Sequence, residues 1–307
     1  MLIFITLVTK LLPLYLTIAL GYIASRFLEM RGRSVAGAMI YIITPIVLFS
    51  GAMSAPIRPE LLVLPLLVWL IAMSISFVFL KIGKLYFKDA RANILALTVG
   101  TGNTGYFGIP VALILFGPDA LAVYILCMLG TTLNENSIGF YLAAKGKESA
   151  RQAFARVLKL PTLYAVMIAI CLNLNEVALP HLFDSFFINM RGAYTILGMM
   201  IIGIGIADYT STKFDGRFLG LAFIGKFVAW PLAVWGVCLL DYYYVGLFDT
   251  QVYKSLILVA ITPIAANTVV IATLLNTYPK EVATTTLLST FFALVYIPAV
   301  VAWMPVA

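Results

Sequence analysis

The sequence predicts an all-α integral membrane protein, with ten transmembrane helices in two inverted repeats of five and with the fourth and ninth helices broken where they cross. Three observations predict this. Hydrophobic residues make up 63% of the 307 positions and charged residues only 11%, far from the roughly half and one quarter of a soluble domain. Short motifs recur in the same order in both halves of the chain. Proline and asparagine interrupt the apolar runs at matched places in each half.

Apolar runs bounded by charge clusters place helices near residues 8–27, 35–54, 61–82, 92–116, 119–144, 160–178, 190–208, 217–240, 252–275 and 282–304. Ten crossings at about 20 residues each leave only short loops and no sizeable soluble domain. The first run goes straight on to Ser25 without a basic leader, so it reads as a retained span and not as a cleaved signal. Lys and Arg in alternate loops divide fifteen to four, the minority being Lys10, Arg58, Arg191 and Lys254. That bias places both termini on the non-cytoplasmic side of the cell inner (plasma) membrane. The net charge of +7 therefore bears on orientation, and with no dense basic tract, nucleic-acid binding is excluded.

Cys127, Cys171 and Cys238 each lie in an apolar run, where a thiol behaves as a small hydrophobe. The lone His181 reads as a solvated loop residue, so no metal site and no cofactor are expected. Trp230, Trp303 and Tyr242 to Tyr244 stand near span ends and read as interfacial anchors.

The basic stretch Lys145 to Lys159 sits near the middle of the chain and divides it into 1–144, a short cytoplasmic linker 145–159, and 160–307. Lys10-Leu-Leu-Pro13-Leu-Tyr15 echoes Lys159-Leu-Pro161-Thr-Leu-Tyr164, and Met30-Arg31-Gly32 echoes Met190-Arg191-Gly192. Leu64-Pro65 to Trp69 echoes Trp230-Pro231 to Trp235, and Phe116-Gly-Pro118 echoes Thr277-Tyr-Pro279. Five spans per copy is odd, so the second copy runs through the bilayer inverted, the architecture of many secondary transporters.

In the fourth span Gly100, Gly102, Gly105, Gly108 and Pro110 crowd the middle of the membrane. Glycine loses backbone entropy in a helix, and proline lacks an N–H and clashes with the carbonyl four residues back. The ninth span repeats the device in Thr262-Pro263 to Asn267-Thr268. Such breaks survive in hydrocarbon only where protein or a watery cavity completes the hydrogen bonds. Asn103, Thr104, Gly105, Pro110, Pro263, Asn267 and Thr268 are the expected substrate site. The second half-helices, beginning near Pro110 and Asn267, would aim unpaired N–H groups at one point suited to a carboxylate. A small organic anion is the expected cargo.

The run Thr131 to Ser137 in the fifth span carries Asn134, Glu135 and Asn136, and Glu135 lies ten residues, about 15 Å, before Lys145. It either takes a coupling proton or sodium ion, or clips adjacent helices as a structural glutamate. Lys226 is close enough to the end of the eighth span to snorkel out, the alternative being a direct role in holding the anion. Thr44-Pro45 and Gly198, Gly203 and Gly205 read as close-packing positions.

Leu11-Leu-Pro13-Leu-Tyr15, Asn103-Thr-Gly-Tyr-Phe-Gly108-Ile-Pro110 followed by Phe116-Gly117, and the proline-broken ninth span running on to Pro298 resemble the auxin efflux carrier family. That family holds the plant PIN-type auxin exporters and bacterial carriers of malonate-type acids. The resemblance implies a scaffold of the first, second, sixth and seventh helices, a transport unit of the others, and elevator motion in a homodimer. It carries Asn103 and Pro110 to the first crossing helix and Pro263 to the second. The plant exporters' long central loop and the acid–lysine pair of their third helix have no counterpart here, since residues 61–80 hold no charge. Auxin is thus not the default substrate. The leading function is a secondary carrier of organic anions, with a passive anion channel or a cation-coupled symporter of the bile-acid-symporter type as alternatives. An enzyme is not expected, because HExxH and GxSxG patterns are absent and Asp208 of Gly205-Ile-Ala-Asp208 stands at a span end.

Overall fold

The computed structural model describes residues 2–54, 63–117, 121–207 and 215–303, among which every regular element is helical and none is a strand. Arg58, Pro118, Asp208 and Lys213 lie outside the described residues, as do the side chains of Lys10 and Trp303. The helices are α1 (Leu2–Leu28), α2 (Gly32–Met53), α3 (Val63–Tyr86), α4 (Arg91–Gly100), α5 (104–116), α6 (121–145), α7 (Ala150–Leu158), α8 (Pro161–Leu174), α9 (Asp184–Ala207), α10 (Gly216–Val245), α11 (Thr250–Ile261), α12 (Ala266–Leu274) and α13 (Pro279–Trp303).

Among the described residues six segments are long and apolar enough to cross a membrane, and the count rises to eight if α7–α8, bent by 44°, and α11–α12, bent by 47°, are each one span. The chain is a multi-pass membrane protein. This is fewer than the ten expected spans. The segments expected near 8–27 and 119–144 are helical as α1 and α6, but α6 carries the polar run Thr131 to Ser137 through its middle.

Proline shapes the helices locally. Pro45, Pro110 and Pro231 each stand two residues past a widened five-residue turn, at Met39–Ile43, Thr104–Gly108 and Gly225–Ala229. Proline cannot bond the carbonyl four residues back, and widening the turn relieves the clash with it. For Pro231 that carbonyl belongs to Phe227, and the Tyr296 hydroxyl donates to it at 2.8 Å.

Packing follows the small residues. α1 lies along α9, where a Cβ at Gly21 would collide with the Met200 backbone and one at Gly203 with that of Ile18. The second half of α2 packs along α8, and α3 packs against α4 and α6. Every residue from Ile94 to Gly100 is buried, as are Thr268 to Ala272, so α4 and α12 are enclosed by protein on all sides. The linker 145–159 contains α7, started by a capping box in which Ser149 Oγ accepts from Gln152 N and the Gln152 side chain accepts from Ser149 N.

Between α3 and α4, Arg91 reaches Asp89 at 2.8 Å and Asp215 at 2.6 Å, tying the start of α4 to the start of α10. The hydrogen bond from Arg91 holds the Asp89 carboxyl below the usual carboxylate range. A depressed native pKa gives stability that is present above the unfolded value, about 4, and is lost as pH falls through the native one. The difference in thermal midpoint between wild type and Asp89→Asn is therefore expected to be small at neutral pH, as for other exposed pairs, and to vanish on acidification; a difference that grows in acid would contradict this assignment.

Candidate functional site

α4 unwinds after Gly100, Thr101 being extended, and α5 resumes at Thr104 after Gly102 and Asn103. α11 unwinds after Ile261 through Thr262 to Ala265, and α12 resumes at Ala266. The two breaks touch: Asn103 N–H donates to Pro263 C=O at 2.7 Å. Four more of the freed groups are matched. Trp230 Nε1 donates to Val99 O at 2.7 Å and Asn134 Nδ2 to Gly100 O at 3.0 Å. Thr262 Oγ1 donates to Val259 O at 2.8 Å, and Ile264 N donates to Ser289 Oγ at 3.1 Å. Each bond removes the cost of a bare peptide group in a water-poor interior.

A cavity of about 230 Å³ opens at this crossing. Asn103, Thr104, Gly105, Glu135 and Asn267 line it, facing Val47 and Leu48 of α2 and Arg191, Tyr194 and Thr195 of α9. On its floor Asn267 Nδ2 donates to Glu135 Oε1 at 2.9 Å and to Tyr194 Oη at 2.6 Å, while Tyr106 Oη donates to Asn267 Oδ1 at 3.3 Å. The Tyr106 and Tyr194 rings pack 4.6 Å apart, and Gly198 leaves room for Tyr106, whose ring a Cβ there would strike. Gly105 has open space where its Cβ would be.

Arg191 is the one cation among the described lining residues. Its Nε donates to Ser50 Oγ at 3.1 Å, and no carboxylate lies within ion-pair distance of it among the described residues. A second cavity of about 570 Å³ adjoins the first through Ser54 and Arg191 and is bordered by His181 and Asp184.

A model of the membrane transport protein family matches residues 145–301, just over half of the chain. The chain belongs to this family of auxin-efflux-carrier-type transporters. It is also similar to an uncharacterized transporter of Methanocaldococcus jannaschii, 28% identical over 295 residues that cover 91% of this chain and 93% of that protein.

Within this transporter the expected site residues divide. Asn103, Thr104, Gly105, Asn267 and Glu135 come together on one cavity. Pro110, Pro263, Thr268, Asn134 and Asn136 are not among its lining residues. Pro263 contributes its carbonyl to the crossing, Thr268 Oγ1 bonds back to Ala265 O at 2.6 Å, and Asn136 faces a smaller neighbouring cavity. The second half of the fourth span begins at Thr104 and not near Pro110, because Asn103 caps it: Asn103 Oδ1 accepts from Phe107 N at 3.3 Å and Asn103 O from Gly108 N at 2.9 Å. That helix end is thus partly closed by its own chain.

Two other expectations are corrected. Lys226 does not snorkel out and Trp230 is not an interfacial anchor, since both are 0% exposed; their side chains turn inward to the break carbonyls. Arg191, Tyr194 and Tyr106 were not expected at the site. The signal for the first two was a cation with polar neighbours at three and four residues, Tyr194 and Thr195, on one helical face.

Replacing Trp230 with Phe strands the buried Val99 carbonyl, and the expected loss is about 1–3 kcal/mol. Thermal unfolding in detergent measures it; an unchanged midpoint would mean that the indole hydrogen bond does not hold the break.

Proposed function

We propose that this transporter is a secondary carrier of small organic anions that binds them at the crossing and alternates access by elevator-type motion. The observation that carries the proposal is the cavity itself. It lies where two broken helices are joined by one peptide hydrogen bond, and its single described cation, Arg191, has no acid partner. Arg191, together with the N-terminal end of α12 at Ala266 and Asn267, suits a carboxylate, while Val47, Leu48 and Ile109 suit an apolar body.

Glu135 supplies the coupling. It shares the cavity with the anion site, and an ionised carboxylate there repels an anionic substrate at low dielectric. A proton or a sodium ion on Glu135 removes that repulsion, so anion and cation move together. Ten spans in two inverted repeats, a homodimer in the inner membrane and both termini outside belong to the same proposal. The recurring motifs, the Lys and Arg bias and the resemblance support them. The elevator draws support from the cavity's position between α2 and α9 on one side and α5, α6 and α12 on the other.

Thermal-shift screening of mono- and dicarboxylates, aryl acids and amino acids identifies the strongest ligand, whose counterflow in proteoliposomes is then measured. Asn103→Ala and Asn267→Ala are expected to lower exchange more than tenfold while the protein remains folded. Arg191→Gln is expected to raise KM for carboxylates by about tenfold or more, as the loss of a charge-assisted hydrogen bond implies. Wild-type-like saturable exchange in all three would remove this site. Flux without saturation or exchange would instead identify a channel.

Glu135→Gln is expected to make uptake independent of pH and of sodium. A dependence equal to that of wild type would leave Glu135 only its structural bond to Asn267.

A further inference from the structure

Lys226 is the only buried lysine or arginine among the described residues, and organic-anion binding at the cavity gives it no task. It lies in the widened turn Gly225–Ala229 of α10 and is not itself a lining residue of the cavity, although it borders Gly102, which is. No carboxylate pairs with it among the described residues. Its Nζ stands 3.5 Å from Val259 O and 4.6 Å from the centre of the Trp230 ring. A Cβ placed on Gly102 would come 2.7 Å from Nζ and 2.6 Å from Thr262 Oγ1. The ammonium of α10, the glycine of the first break and the hydroxyl of the second break therefore surround one point.

That point lies at the C-terminal ends of both first half-helices. Val259 is in the last turn of α11, and Gly102 is two residues past the end of α4. Each helix C-terminus carries about half a negative charge, so two of them together match one monovalent cation. The ligands are also those a small hard cation takes, carbonyl and hydroxyl oxygens. A buried ammonium without such compensation would be costly, and here the compensation comes from the breaks themselves. At the N-terminal start of α12 the acid Glu135 accepts from Asn267 Nδ2, and it shares the cavity lining with Thr104, the first residue of α5.

We propose that Lys226 is a tethered occupant of a monovalent-cation site formed by the C-terminal ends of α4 and α11, so that wild type holds no free ion there and a shortened side chain opens the site to small cations. The transporter then carries its own cation at one end of the crossing, and a coupling ion has only the Glu135 end left to use. The site itself does not depend on the cargo or on the carrier mechanism.

The test uses purified full-length protein in the Glu135→Gln background, which removes the carboxylate as a competing cation site and keeps the outcome separate from the coupling proposal. Thermal midpoints of this protein and of its Lys226→Ala and Lys226→Met derivatives are compared in sodium, lithium, methylammonium and choline chloride at equal ionic strength. Choline, a bulky quaternary ammonium without an N–H to donate, serves as the reference cation. With Lys226 present, the four midpoints are expected to agree. Lys226→Ala is expected to be destabilised in choline and to recover by about 2–4 °C or more in methylammonium, and in sodium or lithium as well, through ligand linkage. Lys226→Met fills the space without charge and is expected to stay destabilised in every salt. The proposal is overturned if Lys226→Ala is as stable as its parent in choline, or if no small cation restores it, whether it is weakly folded or unfolded. It is also overturned if methylammonium raises the Lys226→Met midpoint by as much as that of Lys226→Ala.

Discussion

The hydrogen bond from Asn103 N–H to Pro263 C=O stands at the centre of this molecule, because each break supplies what the other lacks. A helix interrupted in the membrane exposes peptide groups that lipid cannot satisfy. One break alone would need a dedicated shell of polar side chains. Two breaks placed against each other share the burden, and the surrounding helices complete it with single side chains: Trp230 on Val99 O, Asn134 on Gly100 O and Ser289 on Ile264 N. Gly102 follows from the same constraint, since any Cβ there would press on Thr262 and Lys226. The break is a close-packed, hydrogen-bonded joint with one open side, and the cavity occupies that side.

Charge is arranged about the joint with the same economy. Lys226 stands at the end of α11, beside Gly102 just past the end of α4, and Glu135 at the start of α12, a base where helix ends are negative and an acid where one is positive. Both lie in widened turns, Gly225–Ala229 and Glu135–Gly139. A turn of this kind shifts the helical register by one residue and so sets the direction in which one side chain leaves an otherwise apolar helix. The buried charges are thus local consequences of backbone geometry as much as of residue choice.

Much of this could be read in the chain, and the part that could not has a physical explanation. The boundaries of the helices were legible because hydrophobic runs end at charges, and the ninth-span break near Pro263 was legible because proline there leaves no helical alternative. The start of α5 was misplaced at Pro110 because proline also fits the first turn of a helix, where its missing N–H costs nothing; the cap at Asn103 decided the matter instead. α7 was passed over as linker although Ser149 and Gln152 carry its capping box. Lys226 and Trp230 were misread because both residue types commonly sit at the membrane interface. Only the pairing of α10 with the ends of α4 and α11 reveals that they face inward. Arg191 looked like one more loop charge until α9 brought it onto the cavity beside Tyr194.

The joint also restricts how access could alternate. The bonds that complete the breaks run to α6 through Asn134, which also donates to Ser76 of α3, to α10 through Trp230 and to α13 through Ser289. Those helices move with the joint or the breaks are left unsatisfied. On the other side of the cavity, Asn173 Nδ2 on Ala52 O and Arg191 on Ser50 tie α8 and α9 to α2, and α1 lies along α9. Hydrogen bonds between the two groups include Tyr194 with Asn267 and Tyr15 Oη with Thr290 O. A displacement that carries the crossing past α2 and α9 would exchange these bonds together with the packing of α12 and α13 on α9 and of α12 on α2, whereas a motion that opens the joint forfeits the bonds of both breaks together. Whatever rearrangement the protein undergoes, the least costly one keeps Asn103 N–H on Pro263 C=O and the side-chain bonds to Val99 O, Gly100 O and Ile264 N in place.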